Sequence, residues 1–248
     1  MVIRWLTDDD SRPKKAIAHA LRPAPPWLPE RIVLLTRTGS HAYGTATAGS
    51  DEDFRGVAVA PRDYYMGFSK SFERFVFEGD TEGEIEDLRV FLRAACNGEP
   101  QVLAPLFCAP CDVLVATETG CAIRGAQRRF LSKRMVKPFA GHARSIVTRA
   151  AKVGSVSPKE AATAVRLVRM IAEILIGEKV CIARHDADEL LAIRNLERST
   201  QDALREAADG LAHVDAWMAA SLLPEQPDRE DPNALCAWEI ERLNRGTP

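Results

Sequence analysis

Two aspartates, Asp51 and Asp53, stand one residue apart at the end of a turn-rich stretch that begins at Gly39-Ser40 and passes through Gly44, Gly49 and Ser50. An apolar run, residues 53–60, follows at once. On a strand, side chains two apart share a face, so Asp51 and Asp53 point together while Glu52 points away. Two neighbouring carboxylates repel unless a cation lies between them. Mg²⁺, with Mn²⁺ as its substitute, is the natural choice: it is hard, prefers oxygen and takes one or two carboxylates plus phosphate oxygens. The preceding turn supplies what a phosphate needs. Backbone N–H groups at a glycine turn or helix start bind anions, Ser40 adds a hydroxyl, and Gly44 and Gly49 allow close backbone approach. Gly-Ser and Asp-x-Asp are each common in turns. Their order, with a strand on each side, is what suggests phosphoryl chemistry with two Mg²⁺ ions.

Those residues need a scaffold, and the chain predicts one. Residues 31–39 read as a buried strand, 53–60 as a second, 72–77 as a third, with a short extended stretch near residues 82–86. Asp87 can cap a helix whose apolar face is Leu88, Phe91, Leu92 and Ala95. Helices are expected at about residues 117–131, 133–152, 158–176, 187–194, 200–223 and 233–244, with Ser157-Pro158 as a strong start signal. Residues 224–232 read as a late loop. Strands first and helices afterwards give the α+β class: a small mixed β-sheet core with flanking helices, then a helical C-terminal domain. The expected divisions are 1–30 (a helix and a proline-rich linker), 31–115 (catalytic domain) and 116–248 (helical domain).

The chain has 248 residues, 46% hydrophobic and 27% charged, with a net charge of −2. That balance is globular, and any nucleic-acid contact would need a local basic patch. The densest is Arg124, Arg128, Arg129, Lys133, Arg134 and Lys137, which reads either as a solvated helix face or as a hold on an acceptor strand or triphosphate. No run is apolar enough for a membrane helix and the first residues lack a signal peptide, so a soluble cytoplasmic protein is expected. Of six cysteines only Cys108 and Cys111 form a C-x-x-C pair, with no second pair at zinc spacing, so reduced thiols are expected.

The pattern G-S … G-T … S-D-x-D before an apolar strand resembles the polymerase β nucleotidyltransferase superfamily. S-D-E-D-F-R-G-V is similar, more narrowly, to the bacterial and phage family labelled RNA repair pathway DNA polymerase beta. Residues 84–107, 130–147, 159–166 and 190–195 resemble further segments of it, with Gly98-Glu99-Pro100 and His142 departing from its pattern. The resemblance implies that Gly39 and Ser40 hold a nucleoside triphosphate and that Asp51 and Asp53 bind two Mg²⁺. Ser50 is a further nucleotide-binding candidate, and Arg55, which shares the strand face of the two aspartates, reads either as a triphosphate contact or as a plain salt bridge. The resemblance also implies a third carboxylate on a neighbouring strand. Glu82, Glu84 and Glu86 share one face by period two, and Glu84 is the first choice, with glutamate replacing the usual aspartate. Lys159 and Arg166, seven apart on one helix side, are further candidates for the cleft, as is His41 beside Ser40. The implied reaction is transfer of an NMP from an NTP to an acceptor hydroxyl, which the family label suggests is RNA. The alternatives are a protein or small-molecule acceptor, a non-catalytic nucleotide-binding module, or a zinc protein.

Overall fold

The run expected as the first strand is β1, Ile32–Thr38, and it is buried along nearly its whole length. Such burial requires covering layers on both faces, and both are present in the computed structural model, which describes residues 3, 5–6, 12–79 and 81–245. Four more strands join it: β2 (Asp53–Ala58), β3 (Arg74–Phe77), β4 (Glu82–Asp87) and β5 (Val113–Ala116). The sheet order is β3-β4-β2-β1-β5. β2 and β4 run parallel and every other pair is antiparallel, so the sheet is mixed as expected.

Period two divides the β2 side chains between two cores. Phe54 and Ala58 face α1 (Arg12–Ala20), whose Ile17 is buried there with Leu21 and Leu28 of the following segment. Val57 faces the other way, toward Leu88 and Phe91 of α4 (Leu88–Asn97). A bulge between Ile32 and Leu34 turns Val33 and Leu34 to that same side. The Asp87 cap forms as expected, its carboxylate accepting from the Arg89 N–H at 3.0 Å.

A separate core holds α7 (Val136–Val153), α8 (Pro158–Gly177), α9 (Ala187–Arg194) and α10 (Thr200–Ala220), through Phe139, Ile146, Val165, Ile171, Leu190 and Ala203. Ser157 and Glu160 form a reciprocal capping box that starts α8 where the Ser-Pro signal placed it. The helical remainder is not one block, however. Helix α6 (Glu118–Gly125) and the last helix, α11 (Glu230–Asn244), join the α4 side of the sheet through Ile123 and Cys236. The proline-rich residues 22–30 bury Leu28 in the core on the α1 side of the sheet, and Pro29 is buried as well. The expected divisions follow composition, whereas packing is continuous across them.

Several details differ from the sequence expectation. Strand β5 and two short helices, α3 (Asp63–Met66) and α5 (Leu103–Phe107), were not anticipated. The helix expected over 117–131 stops at Gly125, and a 3-10 turn at Gln127–Phe130 follows. A short helix, α2 (Gly39–Tyr43), fills the step between β1 and the Asp-x-Asp loop. Among the described residues, no helix is long and apolar enough to cross a membrane.

Candidate active site

The turn after β1 is shaped by one glycine. Gly39 has φ +65°, a conformation that L side chains rarely adopt, and its Cα faces the Asp53 side chain. A Cβ there would lie 2.8 Å from the Asp53 Cγ and closer still to Oδ2. Only glycine lets this carboxylate sit over the turn. Helix α2 then ends at Gly44, also left-handed, and the loop folds back on itself. Thr45 N–H donates to the Ser40 carbonyl at 2.8 Å, and Thr47 N–H to the Ser50 hydroxyl at 2.8 Å.

The helical bundle holds this loop from outside. Arg194 of α9 donates to the Thr45 carbonyl and lies 3.5 Å from the Ser50 hydroxyl. The Arg184 N–H, in the α8–α9 connection, donates to the Tyr43 carbonyl at 3.2 Å. Arg184 is itself fixed by Glu173 at 2.7 Å and Asp186 at 2.8 Å, and Asp186 also accepts from Arg169 at 2.6 Å. Each charge in this network has a partner, which is the condition for burying it at tolerable cost.

Between loop and bundle lies a cleft of about 430 Å³. Asp51, Asp53 and Glu82 contribute to one wall, Lys159 and Arg166 of α8 and Arg194 of α9 to the other. Asp53 opens β2, directly opposite Glu82 of β4. Burial pushes its carboxyl above the ordinary range; Lys159 and His41 pull it back, and Asp51 adds to the rise. Arg166 stacks on the ring of Tyr43, guanidinium carbon 3.9 Å from the centroid, which holds the cation in place without neutralising it. One wall is therefore suited to a cation and the other to an anion.

Five of the residues expected at the site, Gly39, Ser40, Ser50, Asp51 and Asp53, line this cleft, together with Lys159 and Arg166. Glu84 and Arg55 do not. In the parallel β2–β4 register Glu84 stands opposite Arg55, and the two pair at 3.1 Å. Arg74 takes the second Glu84 oxygen at 3.0 Å, and Glu86 approaches Arg55 at 3.5 Å. The three glutamates do share a face, but only Glu82 is level with the aspartates. Glu84 is turned to Arg55 by the parallel register, which is not readable from one strand.

The basic run 124–137 is mostly spent on structure. Arg124 donates to the carbonyls of Pro105 at 2.7 Å and Cys108 at 2.8 Å, Arg129 pairs with Asp231, Lys133 with Glu225 at 2.8 Å, and Arg134 meets Asn97 at 3.2 Å. Cys108 is buried and Cys111 exposed. Among the described residues, no group of three or more His, Cys, Asp or Glu side chains stands so that it could hold a metal ion by itself. The acidic wall still suits Mg²⁺, which leaves several coordination positions to water and substrate phosphate. His41 lies 3.4 Å from the Ser50 carbonyl and faces Asp53. Tyr43, Thr45 and Arg194 also line the cleft. They have no motif spacing, and the one available signal was that Arg194 falls in a segment already resembling the family.

A solved structure of a nucleotidyltransferase-like protein from Exiguobacterium sibiricum aligns over 92% of this chain and 80% of its own, at 10% identity and a TM-score of 0.28, too distant a likeness to bear on the site. The curated proteins searched gave no match. A family model does match, over residues 13–245, which takes in the sheet, the cleft and the bundle. The chain belongs to the RNA repair pathway DNA polymerase beta family.

Proposed function

We propose that the protein transfers a nucleoside monophosphate from an NTP to an acceptor hydroxyl, releasing pyrophosphate. The observation that carries this reading is the single cleft with Asp51 and Asp53 on one wall and Lys159, Arg166 and Arg194 on the other. Two Mg²⁺ ions, held by Asp51 and Asp53 with Glu82 in place of Glu84 as third carboxylate, would activate the acceptor hydroxyl and neutralise charge on the leaving pyrophosphate. The protein's own part is orientation. The Gly39-Ser40 turn and the Ser50 hydroxyl hold the triphosphate beside the aspartates, while Lys159 and Arg166 balance its charge from α8. The acceptor oxygen attacks the α-phosphorus as the bond to pyrophosphate breaks, and Glu82 takes the hydroxyl proton. The family's name favours an RNA acceptor.

The test is incubation with each labelled NTP, Mg²⁺ or Mn²⁺, and RNA, DNA and protein acceptors. Label should reach one acceptor class in the wild type and none in Asp51→Asn or Asp53→Asn. Equal labelling by the double variant would overturn the site. NTP binding without transfer to any acceptor would point to a non-catalytic module.

A further inference from the structure

Helix α7 carries Lys137, His142, Arg144, Arg149 and Lys152 and has no aspartate or glutamate, in a chain whose net charge is −2. Its apolar side, Val136, Phe139, Ala140, Ala143 and Ile146, is buried in the bundle. At 100° per residue Lys137, Arg144 and Lys152 fall within one arc on the opposite side, and all three are exposed. Only Gly141 and Thr148 stand between them on that arc, with Ser145 and Ala151 at its two edges, all four small or hydroxyl-bearing and exposed as well. The stripe runs about 22 Å along the helix. None of the three cations has an ion-pair or hydrogen-bond partner among the described residues, in contrast to Arg129, Lys133 and Arg134 just before them.

The stripe also leads somewhere. Arg149 pairs with Glu160, holding the last turns of α7 against the first turn of α8. The neighbouring Lys159 lines the cleft opposite the aspartates. Free cations spaced along an acid-free helix, with Thr148 between them and Ser145 beside them, match the phosphates of a polyanionic strand. We propose that the outer face of α7 binds the backbone of a single-stranded nucleic acid and directs its end to the cleft. An anionic membrane fits less well, because no large apolar side chain stands on the arc to enter lipid. Delivery to the cleft rests on the transfer reading above; binding along α7 does not.

The experiment measures binding of a short labelled RNA strand by fluorescence anisotropy between 50 and 200 mM salt. The variant K137Q/R144Q/K152Q removes three phosphate contacts. The slope of log K against log salt should become shallower by about 2, at about 0.7 per contact on a single strand. Its affinity for an NTP with Mg²⁺ should stay at the wild-type value. As a control, R22Q/R62Q/R93Q makes the same charge change at exposed arginines elsewhere and should bind strand as the wild type does. The proposal is overturned if the α7 variant keeps the wild-type slope, if the control loses as much, or if the wild type binds anionic vesicles and no strand. If strand binding depends on α7 while no NMP is transferred to any acceptor, the α7 surface stands and the transfer reading falls.

Discussion

Gly39→Ala separates the geometry of the cleft from the stability of the fold. Alanine at φ +65° costs about 1–2 kcal/mol. For a chain of this size that corresponds to a Tm lower by roughly 2–8 °C, so the protein remains folded at room temperature. The larger effect is on Asp53. With the new Cβ 2.8 Å from its Cγ, against a normal carbon–carbon contact of about 3.5–4 Å, the carboxylate must shift by about 1 Å. Displacement of that order costs about 100-fold in rate, or close to 3 kcal/mol of transition-state stabilisation. The control is Gly49→Ala in the same cleft, where a Cβ would meet nothing within 4 Å. It should leave stability within about 0.5 kcal/mol and activity close to wild type. Thermal melts followed by circular dichroism, with transfer of labelled nucleotide measured well below Tm, read both quantities. Wild-type transfer by Gly39→Ala, or an equal loss in Gly49→Ala, would refute the reasoning.

The two β4 glutamates should separate in the opposite sense. Glu82→Gln should abolish transfer with little change in stability, whereas Glu84→Gln leaves Arg55 and Arg74 short of a counter-charge and should cost roughly 1–3 kcal/mol in urea unfolding; the reverse pattern would return the third-carboxylate role to Glu84. Arg194→Ala should lower kcat/KM by about 100-fold by freeing the Thr45–Ser50 loop, and Arg194→Lys should recover only part because one ammonium cannot span both acceptors. A steady-state comparison of the two variants decides it. Asp186 supplies a pH signature: burial alone would raise its pKa, but the Arg184 and Arg169 guanidiniums hold it down to about 2. A depressed carboxylate adds stability above its unfolded pKa near 4 and loses it as pH falls toward 2, here roughly 2 kcal/mol. The urea midpoint should decline across that window in the wild type, and this component should be missing in Asp186→Asn.

The parts of the fold legible in the sequence are those specified locally. Asp87 and Ser157-Pro158 announce helix starts with chemistry that needs no distant partner, and both caps form. The run at 31–39 is apolar because its strand is covered on both faces, and that too shows in a window of nine residues. Strand β5 was missed because four residues, VLVA, carry no period, and its place at the sheet edge comes only from pairing with β1. The site divided in the same way. Gly39, Ser40 and the two aspartates lie within fifteen residues of one another, so spacing alone grouped them. Glu82 could be told from Glu84 only once β4 was aligned in parallel with β2, and Arg194 and Tyr43 depend on how the bundle docks.

The bond from Arg194 to Thr45 closes a span of 149 residues. A ribosome that has released the whole of β2 has therefore made the aspartate pair but not the support that sets it in place. Domains fold as they emerge, amino-terminal part first. Until α8 and α9 are synthesised and docked, the loop lacks its anchor and the acidic wall faces no cations. A nascent or truncated chain would carry the motif without its facing cations, so the cleft exists only once α9 has docked on the loop.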